Sequence, residues 1–171
     1  MQLHSRLIGI LLSLTLLAPC AALADPAVIY VLRHGEKLAD SKDPALSGAG
    51  QLRAQNLAVL LRKTGIQAIF SSAYVRTRQT AQPLATLLGL EVQSYDAARP
   101  AELVARVKAL GGSTLVVGHS NTVPELVRLF GGKPGAEIDE KNEFDRLYQL
   151  IVGADGSVAT VMLTSLPANT P

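Results

Sequence analysis

Residues 27–36 run Ala27-Val28-Ile29-Tyr30-Val31-Leu32-Arg33-His34-Gly35-Glu36. Six apolar positions in succession, with no polar alternation, predict a strand buried on both faces, as in a parallel sheet covered by helices. A second run of this kind, Thr114-Leu115-Val116-Val117, leads into Gly118-His119-Ser120. Each histidine therefore follows directly on a buried strand. Outward from these two runs, the chain alternates short strands with segments of helical period. Ser47 precedes a stretch with Leu52, Leu57, Leu60 and Leu61 on one side and Gln51, Arg53, Gln55 and Arg62 mostly on the other, an amphipathic helix closed by Gly65. Ile66 to Phe70 is a second strand ending in Ser71-Ser72. A helix from about Tyr74 to Leu88 follows, capped by Gly89, with Pro83 as a candidate kink. Glu91 to Tyr95 reads as a short third strand. Pro100 then opens a helix with Leu103, Val104, Val107 and Leu110 on one face, stopped by Gly111-Gly112. A last helix runs from Pro124 to Phe130. Leu147–Val152 and Val158–Leu163, around Ala154-Asp155-Gly156, form a terminal hairpin. This succession predicts an α/β fold, a three-layer α/β/α sandwich with a mostly parallel central sheet. In such sheets ligands bind beyond the carboxyl ends of the strands.

The size, 171 residues, suits one domain, and a net charge of +2 with 18% charged residues offers no basic stripe for a nucleic-acid backbone. Aromatic residues make up 4% with no Trp, so base-stacking platforms have little to be built from. At the N-terminus, Arg6 is followed by an apolar run from Leu7 to Ala18 and by the small-residue triplet Ala22-Leu23-Ala24. That pattern reads as a secretory signal cut after Ala24, with a single domain over 25–171. The run falls short of the ~20 apolar residues a membrane span needs, and Pro19 stands where a lipid-modified Cys20 would want a small residue. Cleavage removes the sole cysteine, which excludes disulfides, thiol catalysis and Cys-type metal sites from the mature domain. The expected location is the periplasm or the exterior.

Two histidines remain after cleavage, His34 and His119, and parallel strands would put both on the same sheet edge. Ser71-Ser72 leads into Arg76 and Arg78 at the second strand end, and Asp96 follows the third. A divalent metal is the competing reading of two histidines, but it would sit beside Arg33 and Arg76, whose planar guanidiniums suit a dianionic phosphate instead. A histidine in an anion pocket attacks phosphorus when one ring nitrogen is neutral and exposed, the other is fixed by a hydrogen bond, and cations offset charge on the equatorial oxygens. His34 fits those needs: Gly35 lets the backbone pass close to a ligand and offers its carbonyl to the second nitrogen. His119 is then the electrostatic partner.

These residues resemble the histidine phosphatase superfamily, phosphoglycerate mutase-like branch. The likeness rests on Arg33-His34-Gly35-Glu36, on Leu46-Ser47-x-x-Gly50-Gln51, on Ser71-Ser72-x-x-x-Arg76-Thr77-x-Gln79-Thr80-Ala81 and on Gly118-His119-Ser120-Asn121, in that order over residues 27–163. The resemblance implies that His34 becomes phosphorylated, that Arg33, Arg76 and His119 form the phosphate pocket, that Asn121 lies beside it, and that no metal or other cofactor takes part. It also implies a general acid near the third strand end. Asp96 is the choice there, although the family's commoner residue is Glu and Tyr-Asp-Ala-Ala-Arg-Pro departs from its mutase pattern. Glu36 and Glu102 are the alternatives, Glu102 equally as a favourable first-turn helix charge. Arg78 reads as a solvated helix residue.

With Arg76 and His119 only 43 positions apart, there is no room for the large insertion that encloses the substrate in mutases, so water is expected to discharge the phosphohistidine and a phosphatase is expected. The partner is a small phosphorylated substrate or phosphate. Two rivals stand beside this: a phosphatase of phosphohistidine or phosphoproteins, and a module that binds phosphate without turnover.

Overall fold

A computed structural model describes residues 27–39 and 41–166; the expected signal segment, the domain boundary at residue 25 and the tail from residue 167 lie outside the described residues. The elements follow the predicted order: β1 (Ala27–Arg33), α1 (Gly48–Leu61), β2 (Ile66–Ser72), α2 (Val75–Leu88), β3 (Val92–Tyr95), α3 (Pro100–Leu110), β4 (Ser113–Gly118), α4 (Val123–Leu129), β5 (Arg146–Val152) and β6 (Val158–Thr164). Most caps are those the sequence offers, but α1 ends on Arg62 in the right-handed region rather than on Gly65, which turns left-handed three residues further on. Ser47 Oγ accepts from the Gly50 N–H at 3.2 Å at the start of α1, and Gly89 and Gly111 end α2 and α3 in the left-handed region. α2 passes through Pro83 as a single helix.

The six strands form one sheet in the order β3-β2-β4-β1-β5-β6. The first four run parallel, and the β5–β6 hairpin adds two antiparallel strands beside β1. Because strand side chains alternate, β1 feeds two cores. Ile29 and Val31 face Leu103, Val107, Leu126 and Phe130 of α3, α4 and the turn after α4, whereas Tyr30 and Leu32 face Leu57, Leu61, Leu84 and Ala85 of α1 and α2. This is the expected three-layer α/β/α arrangement. Among the described residues no helix is long and apolar enough to cross a membrane.

Two residues fall elsewhere than their sequence pattern suggests. Arg53, placed on the polar side of α1, is buried, because that part of the helix lies over the turn after β1 and the end of β6. Its guanidinium holds both Glu36 carboxylate oxygens, Ser165 Oγ and the Leu166 carbonyl. Gly35 owes its lack of a side chain to the backbone of Gly50 rather than to a ligand: a Cβ at Gly35 would stand 3.0 Å from Gly50 Cα, and one at Gly50 would overlap the Glu36 carbonyl oxygen.

Candidate active site

The register of β1 on β4 pairs Arg33 with Gly118, so His34 and His119 are the next residues on two adjacent strands. The backbone N–H of His34 donates to the Gly118 carbonyl at 3.0 Å, which ties the two strand ends together. The imidazole centroids lie 5.3 Å apart at 69°. On the other side of β4, Ser71 pairs with Val117, and this sets Ser72 beside the start of the His119 turn.

His34 is 3% exposed. Its Nδ1–H donates to its neighbour's carbonyl, Gly35 O, at 2.8 Å, so Nε2 carries the lone pair and accepts from Arg76 Nε–H at 3.2 Å. Burial is the main cause that lowers its pKa, to about 3; the Gly35 carbonyl opposes this, and His119, Arg33 and Arg76 add to it. The ring is thus unprotonated and oriented across ordinary pH, with a lone pair on Nε2. Arg76 extends from the first turn of α2, where Asp43 receives the Val75 N–H and lies 3.4 Å from Arg76 Nη1. Its Nη2 is 3.4 Å from His119 Nδ1, so one guanidinium spans both rings. His119 Nε2 meets Ser72 Oγ at 2.9 Å, and the Tyr74 ring stands against it at 5.0 Å. Burial first, then Arg76 and Arg33, lower the His119 pKa to about 4 against the pull of Asp43.

Arg33 is 2% exposed and lies over the Phe144 ring at 4.0 Å. Its Nη1 donates to the carbonyls of Asp139 and Glu143 at 3.1 and 2.8 Å, and its Nη2 to that of Glu140 at 2.7 Å. Its Nε–H is buried and has no hydrogen-bond partner among the described residues. Burial lowers the pKa of this guanidinium, while Glu140, Asp139, Glu143 and Glu36 counteract. Three loop carbonyls thus fix the group and leave one donor unspent; Arg33 is not among the residues that line the hollow over this edge.

A hollow of about 550 Å³ opens over this edge, lined by His34, Lys37, Arg76, His119, Asn121 and Glu140 among others. Asp96 is not among its lining residues. Although β2–β3 pairing of Ser72 with Tyr95 brings Asp96 to the expected edge, its side chain is 47% exposed and turns into the following loop. There it accepts from Ala98 N–H and Arg99 Nε at 2.9 Å each, and the Arg99 hydrogen bond first, then the Ala98 amide, hold its pKa below the usual carboxylate range. Glu102 pairs with Arg99 on the surface, 2.9 Å away. Burial pushes the Glu36 carboxyl up, but its hydrogen bonds to Arg53 prevail and hold it low, as a structural anion. Arg78 is exposed on α2. The acid expected from Asp96 is therefore missing from the pocket, and Glu140, unforeseen in the sequence, is the carboxylate residue that lines it. Asp139-Glu140-Lys141-Asn142-Glu143 is an acidic cluster in an otherwise balanced chain, the one signal that could have marked it. Among the described residues no group of three or more His, Cys, Asp or Glu side chains could hold a metal ion.

The sequence model described as the histidine phosphatase superfamily (branch 1) matches residues 29–100. No curated protein sequence matches the chain. Among solved structures, the chain is similar to the protein histidine phosphatase SixA complexed with tungstate, with a TM-score of 0.63 and 19% identity over 80% of this chain and 96% of that one. It is similar to a mycobacterial glucosyl-3-phosphoglycerate phosphatase, with a TM-score of 0.64 and 18% identity over 82% and 98% of the two chains. It also resembles Bacillus stearothermophilus YhfR, with a TM-score of 0.66 and 14% identity over 83% and 98%. At these identities the likeness is one of fold. Residues 29–100 thus match the histidine phosphatase superfamily (branch 1) model, and the chain as a whole shares the fold of these neighbours.

Proposed function

We propose that this protein is a phosphohydrolase that works without a metal, moving a phosphoryl group from its substrate to Nε2 of His34 and then to water. The observation that carries the reading is Arg76, a single guanidinium donating toward Nε2 of one histidine and Nδ1 of the other at the head of a polar hollow. Nε2 attacks phosphorus in line, the N–P bond forms as the bond to the leaving group breaks, and the leaving group takes up a proton. Water then attacks the phosphohistidine, releasing phosphate and restoring the neutral ring. Arg76, His119 and the unspent Nε–H of Arg33 offset the charge on the equatorial oxygens, with Asn121 beside them. Glu140 lines the hollow as the carboxylate for proton exchange with the leaving group or with water.

Phosphomonoesters are the first substrate class. A phosphoramidate such as phosphohistidine on a protein is the second reading, favoured by the turning away of Asp96, since a leaving nitrogen is protonated more readily than an alkoxide. Export with cleavage after Ala24 belongs to the proposal and rests on the sequence of residues 1–24 alone. The test is turnover of p-nitrophenyl phosphate together with acid-quenched labelling. Acid-labile, alkali-stable phosphate on His34 is expected, and a loss of about 10³-fold or more in kcat/KM for His34→Asn. Activity retained in that variant would overturn the assignment. A panel of small esters against a phosphohistidine-bearing protein separates the two substrate classes.

A further inference from the structure

The hydroxyls behind His119 decide which of its nitrogens faces the hollow. Thr77 is fully buried, and its Oγ1 lies 2.8 Å from the Tyr74 carbonyl and 3.0 Å from the Ser72 carbonyl, so its one proton goes to a carbonyl. Toward Ser72 Oγ, 2.9 Å away, Thr77 can then only accept, and the Ser72 hydroxyl proton points to Thr77. With that proton spent, Ser72 Oγ accepts from His119, which places the ring proton on Nε2. The opposite end of the ring agrees: a guanidinium N–H of Arg76 faces Nδ1, so Nδ1 of the neutral ring holds a lone pair.

With its lone pair turned to Arg76 at the edge of the hollow, Nδ1 offers a phosphoryl oxygen no donor. Building on the phosphohydrolase reading, we infer that an oxyanion enters this pocket together with one proton, held on Nδ1 of His119, and that the Ser72–Thr77 hydroxyl pair directs it to that nitrogen. The groups facing the ring are Arg76 and Thr77 from α2, Tyr74 at its cap, His34 and Arg33 from the end of β1, Asp43 from the loop before α1 and Glu140 across the hollow. Burial first, then Arg76 and Arg33, keep the empty ring neutral, with a pKa of about 4, so at neutral pH the proton arrives with the anion. A phosphoryl monoanion brings its own: the P–O–H proton passes to Nδ1, leaving a bound dianion against an imidazolium. Ser72 and Thr77 act through His119 and are positioning residues.

Sulfate, dianionic at any pH the fold would meet, is the discriminating probe. Titration calorimetry of the wild-type protein with sulfate near pH 7, in two buffers of different ionisation heat, is expected to show uptake of about one proton per anion bound. Sulfate affinity is expected to fall about tenfold per pH unit above pH ~5. Ser72→Ala frees the ring to carry its neutral proton on Nδ1, so proton uptake drops toward zero and the pH slope flattens. A merely structural serine would weaken binding without moving the slope. Independently of any variant, ¹⁵N imidazole spectra of the free wild-type protein at pH 7 are expected to show His119 protonated at Nε2. Sulfate binding with no proton uptake, or a free His119 protonated at Nδ1, overturns the inference and leaves the phosphohydrolase reading intact. Failure of sulfate and of inorganic phosphate alike to bind overturns both.

Discussion

Acidification tests directly whether His34 is held neutral. In the unfolded chain the ring titrates near 6.5, whereas in the fold it stays unprotonated down to about pH 3. Because the folded pKa of this base is depressed, the unfolded state binds the extra proton. The stability contributed by the neutral ring is present above pH 6.5 and is lost as pH falls from there toward 3. Between pH 7 and pH 4.5 the unfolded ring gains almost a full proton and the native ring almost none. At 1.36 kcal/mol per pH unit over this interval, His34 alone costs the fold roughly 2–3 kcal/mol. The assay compares urea midpoints, read by circular dichroism, for wild type and His34→Asn at both pH values. Carboxylates and His119 contribute to both proteins, so the informative quantity is the difference between their pH dependences. Wild type is expected to lose roughly 2–3 kcal/mol more than the variant, about the effect of one mid-sized core truncation. Identical pH dependence in the two proteins would mean that the native ring titrates as it does in the unfolded chain, and the depressed pKa ascribed to its burial would be refuted.

Two further outcomes follow from the fold. Gly50→Ala drives a Cβ into the Glu36 carbonyl where α1 meets the turn after β1, so a loss of at least about 2 kcal/mol in denaturant unfolding is expected; a neutral substitution would show that this contact relaxes freely. Asp96→Asn breaks a surface pair outside the hollow and is expected to leave kcat/KM for an alkyl phosphate within about threefold. A drop of two orders of magnitude, sparing p-nitrophenyl phosphate, would return the general acid to that residue.

Much of this site was legible in the sequence because both histidines terminate uninterrupted apolar runs, and a buried parallel strand has one end where polar residues resume. His34, Arg76, His119 and Asn121 line one hollow, whereas Arg33 is buried at the end of β1 and is not among its lining residues. Asp96 was misplaced because a strand end gives position but not direction: the backbone amide of Ala98 and the side chain of Arg99 capture its carboxylate locally. Glu140 was missed because residues 131–146 carry neither helical nor strand period, and the loop takes its shape from Arg33, which lies more than a hundred positions away. Arg53 illustrates the same limit. A helical wheel shows which side of α1 is polar, but not that the chain's last described residues return to cover it.

Arg76 reaches both imidazoles with different nitrogens of one rigid, planar group, and that has a consequence for how the site can vary. Neither ring can be retuned alone, since any shift that brings the fork closer to one withdraws it from the other. On the proposed reading, attacking atom and charge acceptor are therefore geared together, and a descendant of this chain that lost that single arginine would keep its architecture while losing the one group that joins the two rings.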